Sequence, residues 1–129
     1  MSSQRKPSAM GTAALNLLRV SPDLVVQLIL PMVPDGSRDT ELVAAVGLAL
    51  ARLERAPEAA RWFLRLFELM PEDVEVCVCL AEAAMEAADP AMAVTALERA
   101  FAIDKAAATP AGRRARVLAF KLEKQLGER

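Results

Sequence analysis

Histidine is absent from this chain of 129 residues, and so is tyrosine. The first absence removes the side chain whose charge changes near neutral pH, and with it the commonest zinc ligand. Aromatic residues make up only 4% of the chain, four Phe and one Trp. So few rings give no aromatic platform, on which nucleic-acid bases would stack, to accompany the basic residues of the last helix. The two cysteines, Cys77 and Cys79, stand two residues apart. On a helix that spacing points them to nearly opposite sides, so they cannot readily bridge, and it is neither a redox nor a metal pair. They read as small core or near-core thiols of a reducing compartment. The five glycines never gather into a phosphate-binding loop, and no serine elbow or paired interior carboxylate occurs. No catalytic residue, metal site or cofactor is expected, and the chain is not read as an enzyme.

Hydrophobic residues, mostly Ala, Leu and Val, make up 54% of the sequence. The length suits one domain with a real core. Small apolar side chains at this density let helices approach closely, and few β-branched runs argue for a sheet. The fold class expected is all-α. The apolar run Leu24 to Val33 is interrupted by Gln27 and Pro31 and is too short to span a bilayer. Ala9 to Leu18 contains Gly11 and Asn16, a poor signal-peptide core. The expectation is a cytoplasmic protein without membrane insertion.

Net charge is −1, so no global field favours nucleic acid or anionic lipid. Its distribution is uneven. From Glu41 to Asp104 twelve acids face five arginines, whereas Arg113, Arg114, Arg116, Lys121 and Lys124 face only Glu123 in the last stretch. Such arginines usually stay solvated, so nucleic-acid binding is the weakest reading.

Punctuation divides the chain into seven helices. Residues 1–7 are polar and expected to be disordered. A first helix fits Ser8 to Val20. Ser21-Pro22-Asp23 starts a second that ends near Pro31, before a loop holding Pro34 and Gly36. A third runs from Asp39 to about Arg55, a fourth from Pro57 to Met70, and a fifth from Asp73 to about Ala88. Asp89-Pro90 starts the sixth, which ends near Asp104, and Thr109-Pro110 starts the seventh, which runs to Leu126 with Gly127 as its stop. All six Asp residues fall at these boundaries, as caps and turns require.

Windows 40–73 and 74–107 are equal in length, adjoin, and align without a gap. Val43, Val46, Gly47, Leu50, Ala59, Phe63 and Pro71 match Cys77, Leu80, Ala81, Ala84, Ala93, Leu97 and Lys105. On these positions the chain resembles the tetratricopeptide repeat family, whose pattern is W-x2-L-G-x2-Y…A-x3-F…P. Aliphatic residues replace the aromatics of the first helices, and Lys105 stands in place of the second proline. The resemblance implies a stack of helical hairpins, an α-solenoid, with 110–126 as the solvating end helix. Residues 8–36 form either a degenerate first repeat or an N-terminal hairpin that caps the stack or dimerises; the repeat is favoured.

By the same resemblance, the first helix of each pair lines a partner-binding groove. Its side chains here would be Glu41, Ala44, Leu48, Ala51 and Arg52, then Glu75, Val78, Glu82, Met85 and Glu86, with Arg116 and Phe120 from the last helix. Relatives that clamp acidic chaperone tails carry Lys and Asn where this chain has Ala44, Leu48, Val78 and Glu82, so that function is not expected. An apolar floor with acidic edges suits a hydrophobic or amphipathic peptide or helix of another protein. The implied function is a small chaperone or adaptor, and the size and Ala-rich pairs are similar to chaperones of bacterial type III secretion. The alternative is a structural subunit or homo-oligomer that buries the repeat surface, motivated by Leu24 to Val33. Trp62 could be an interface anchor or could pack against its own fold; packing is favoured.

Overall fold

The computed structural model describes residues 8–127, so the disorder expected for residues 1–7 lies outside the described residues. Among the described residues there are seven α-helices and no strand: α1 (Ala9–Val20), α2 (Pro22–Leu24), α3 (Thr40–Arg52), α4 (Ala56–Leu69), α5 (Val74–Glu86), α6 (Pro90–Ile103) and α7 (Pro110–Gly127). None is long and apolar enough to cross a membrane.

Most of the helices start where a side chain can satisfy orphan N–H groups. Asp39, Asp73 and Asp89 accept from the N–H groups of Leu42, Val76 and Met92 at 3.1–3.2 Å. Ser8 caps α1 through Gly11 N at 2.8 Å, and its hydroxyl also donates to the Asp39 carboxylate, tying the starts of α1 and α3 together. Asp104 anchors the turn into α7: it accepts from Ala108 N at 2.9 Å, Thr109 N at 3.0 Å and the Thr109 hydroxyl at 2.6 Å. Its carboxylate lies where a Cβ on residue 112 would collide with it, so α7 can dock this closely only with Gly112 there.

The second segment departs from the single regular helix expected to Pro31. After α2 the backbone widens to a π-helix, Val25–Ile29, and then tightens to a 3-10 turn, Leu30–Met32. Pro31 has no N–H to donate and its ring disfavours the preceding α turn, so the regular helix stops before it, and Leu30 N bonds back to Val25 O. The wide turn still brings Val25 and Ile29 inward, both buried.

Helices α3 to α6 form two hairpins whose boundaries fall at matching places in the two windows: Thr40–Arg52 against Val74–Glu86, and Ala56–Leu69 against Pro90–Ile103. The loops repeat as well. α3 ends with Glu54 at φ 60° and Arg55 N bonded to Leu50 O; α5 ends with Ala88 at φ 59° and Asp89 N bonded to Ala84 O. This is a Schellman closure. Val43, Val46, Gly47, Leu50, Ala59 and Phe63 are all buried, and so are Cys77, Leu80, Ala81, Ala84, Ala93 and Leu97. Gly47, Ala81 and Ala115, each one window after the last, are buried on α3, α5 and α7. α1 packs on α3, α3 on α4, α4 on α5, α5 on α6, and α7 on both α5 and α6. The core runs as one cluster through this stack, and none of its members is polar or charged.

Candidate functional site

α5 stands against α4 and diverges from α3, leaving a groove of about 260 Å³. Leu48 and Ala51 of α3 form one wall. Glu75, Cys79, Glu82, Ala83 and Glu86 of α5 form the other, Phe63 of α4 lies at the floor, and Arg114 of α7 reaches in. The helical period explains the α5 wall. Residues 75, 79, 82 and 86 are three or four apart and share one face.

Phe63 can lie under the groove because Gly47 has no side chain. A Cβ there would stand 2.9 Å from ring carbon Cε1 and 3.1 Å from Cδ1. At the matching positions of the second hairpin stand Ala81 and the smaller Leu97.

Electrostatically the groove is not the bare acidic rim expected from the sequence. Arg114 Nη1 sits 2.5 Å from Glu75 Oε1 and Nη2 2.6 Å from Glu82 Oε1. All three side chains are about half exposed, so each pair is worth about 0.2–1 kcal/mol. The hydrogen bond that Arg114 donates to Glu75, then the one it donates to Glu82, raises the Arg114 pKa against the opposing effect of burial. Three carboxylates against one guanidinium leave the groove net acidic. Burial pushes the Cys79 thiol up to about 11, helped by Glu75 and Glu82 and opposed by Arg114. Burial, with Asp73, likewise takes Cys77 to about 11. Both cysteines are free; Cys77 is in the core and Cys79 at the groove. No group of three or more Cys, Asp or Glu side chains that could hold a metal ion occurs among the described residues.

The expected groove residues divide. Leu48, Ala51, Glu75, Glu82 and Glu86 line it together. Met85 lies one step along, in an adjoining cleft of about 290 Å³ with Glu82, Glu86, Leu118, Lys121 and Gln125. Ala44 is half-buried on α3 outside the lining, and Glu41 lies at the α1 contact with its Cβ close to Gly11. Arg52 reaches back to the Leu18 carbonyl at 3.3 Å and closes the end of α1.

Three placements are corrected. Val78 is fully buried, because α7 packs directly on its side of α5; Cys79 takes its place in the groove. Arg116 is exposed beside the α6–α7 loop, with Nη2 3.5 Å from Ala106 O, and Arg114 is the α7 residue in the groove. Phe120 is 69% exposed on the outer side of α7, turned away from the groove. Trp62 is half-buried against the core, with the Arg65 guanidinium 4.6 Å from its ring centroid, a cation–π contact.

Phe63, Cys79, Ala83 and Arg114 were missed as lining residues. The floor position of Phe63 had a signal in the sequence: Gly47, ahead of Ala59 in the repeat pattern, marks where the two helices cross. Comparison with family models, with curated proteins and with solved structures finds no match.

Proposed function

We propose that this chain is a non-enzymatic binding module, a small chaperone or adaptor of tetratricopeptide type, and that its groove holds an apolar or amphipathic segment of another protein bearing a basic residue. The observation that carries the reading is the groove itself: Leu48 and Ala51 offer apolar contact over the buried Phe63 ring, beneath a rim of Glu75, Glu82 and Glu86. Helix-in-groove recognition needs such an apolar track with polar edges. Arg114, held between two of the carboxylates, already stands where a partner's basic side chain would be received. The recurrence of helix ends, αL closures and buried positions from one window to the next supports the repeat reading. The narrower reading, a cytoplasmic chaperone serving a bacterial secretion system, rests on resemblance in size and helix pairing.

The test is affinity capture from the native host with the wild-type chain, Ala51→Glu, and Val20→Glu as a control at the far end of the stack. Ala51 is half-buried at the groove wall and Val20 is exposed on α1. A partner held by the wild type and by Val20→Glu but lost with Ala51→Glu supports the groove. A partner indifferent to Ala51→Glu refutes it.

One observation favours a second reading, a subunit of a larger assembly. Val20, Leu28 and Met32 expose 77%, 54% and 54% of their surface at the N-terminal end. A partner lost only with Val20→Glu would favour that reading. Nucleic-acid binding gains little: Arg114 is engaged by Glu75 and Glu82, and Arg113 Nη1 donates to Ala108 O at 2.8 Å.

A further inference from the structure

The C-terminal end of the stack carries a second apolar surface, separate from the groove. α6 and α7 diverge there around a cleft of about 310 Å³, lined by Val94, Leu97 and Phe101 of α6 and by Ala119, Leu122 and Leu126 of α7. Only two charged side chains line it, Glu98 on the α6 wall and Glu123 on the α7 wall. Val94 and Leu126 remain 37% and 42% exposed. On each wall the lining spans two helical turns, about 10 Å at 1.5 Å per residue.

The fold itself shows what shape fits such a cleft. α6 lies along α5, the first helix of its own hairpin, and beside α4 of the preceding hairpin. One repeat further along the stack, the same seat lies along α7 and beside α6. Ala115 keeps the register, being buried like Gly47 and Ala81. No described element of this chain covers that seat. Its charges select the occupant further: a carboxylate on each wall places a negative charge on either side of an apolar track. Lys124, next to Glu123, points about 100° away round the helix.

We infer that this cleft is a docking site for an amphipathic helix of a partner protein, one whose apolar stripe is flanked on both sides by lysine or arginine. The helix seats against α7 and beside α6 as an eighth helix of the stack. Its apolar side chains cover Val94, Phe101 and Leu126, and its basic residues pair with Glu98 and Glu123. This inference is independent of the groove between α3 and α5.

The test uses the full chain and a fluorescein-labelled synthetic peptide of about four turns, with a Leu/Ala stripe flanked by lysines. A matched peptide carries glutamate for every lysine. Fluorescence anisotropy is expected to show binding of the lysine peptide and roughly tenfold weaker binding of the glutamate peptide. The double variant Glu98→Lys/Glu123→Lys reverses that preference, and Leu126→Asp, made in the Ala51→Glu background so that the groove takes no peptide, abolishes binding. Glu98, Glu123 and Leu126 are exposed, and circular dichroism checks that the variants fold. Ala51→Glu, in the groove, leaves the lysine peptide bound. The inference is overturned if the lysine peptide fails to bind, if its affinity ignores the charge reversal, or if Ala51→Glu alone removes binding or Leu126→Asp added to it does not. It is also overturned if light scattering finds a dimer that Leu126→Asp converts to monomer, since a second copy would then be the occupant.

Discussion

Gly47→Ala is the substitution that tests the hairpin packing most directly, because two effects of opposite sign meet there. On an exposed helix the change would stabilise by about 0.5–1 kcal/mol through backbone entropy. Here the new methyl would stand 2.9–3.3 Å from three carbons of the Phe63 ring, which is itself 2% exposed. Forcing a methyl into a packed site costs about 1–3 kcal/mol. The net expectation is a destabilisation of about 1 kcal/mol. Phe63→Leu alone should cost about 1–2 kcal/mol, the transfer and cavity terms for the lost ring atoms. The informative variant is the pair. With Phe63→Leu the clash disappears, and Gly47→Ala should then stabilise by about 0.5–1 kcal/mol, a coupling of about 2 kcal/mol. The second hairpin already uses this combination, Ala81 with Leu97. Urea unfolding followed by far-ultraviolet circular dichroism measures the four corners of the cycle. The reasoning is refuted if Gly47→Ala stabilises the wild type, or if the two changes add within about 0.5 kcal/mol.

Other consequences are open to measurement. In a Cys77→Ala background, Cys79 should react with a disulfide reagent at pH 8 on the order of a hundredfold more slowly than in the unfolded chain, because its thiol is raised to about 11. Glu82→Gln should speed the reaction and Arg114→Ala slow it; a rate blind to both would contradict the groove electrostatics. Glu54 and Ala88 hold left-handed backbone, which costs a side-chain-bearing residue about 1–2 kcal/mol. Glycine at either position should therefore stabilise by roughly 0.5–1 kcal/mol after its own entropy is counted, and a loss of stability in thermal melts would argue against the Schellman closure. The Asp104 carboxyl is held below its ordinary range, first by the Thr109 hydroxyl and then by the N–H groups of Thr109 and Ala108. Its folded pKa is lower than its unfolded one, so its contribution is full above about pH 4 and fades as pH falls through the lower folded value. Asp104→Asn should flatten that acid limb; an unchanged pH profile would show that the carboxylate does not anchor α7.

Helix ends were legible because they are local chemistry. Asp39, Asp73 and Asp89 each find an N–H group within their own turn, and Asp-Pro or Thr-Pro pairs stop and restart the chain without help from distant residues. The match between the two windows was legible because positions where two helices cross must be small or snugly apolar, which leaves Gly47, Ala59, Ala81 and Ala93 in fixed places. The π-helical stretch at Val25–Ile29 was not legible. Pro31 announces that a helix ends; whether the backbone before it widens or unwinds depends on what Val25 and Ile29 must reach, and their seat in the core lies on another element.

The groove was half legible, and the misses share one cause. A repeat pattern assigns the same face to equivalent positions, whereas exposure depends on which neighbour comes next. Ala44 and Val78 occupy equivalent positions in the two windows, yet Ala44 is half-buried and Val78 fully buried, because α3 and α5 diverge while α7 closes directly on α5. Arg114 falls on the register of Leu80, a core position. Leu80 is buried in a helix packed against α4, α6 and α7, but α7 is the last described helix and rests on α5 and α6 alone. The equivalent position on α7 is therefore an edge, where a guanidinium can stay half in water and span Glu75 and Glu82. A helix with unpacked sides can thus hold a guanidinium over the groove at a register that is core on α5. The same missing packing leaves the α6–α7 cleft and Phe120 exposed. Both candidate surfaces thus follow from the sides of α7 that no other described helix covers, and sequence periodicity, which assigns every repeat the same neighbours, could not assign them.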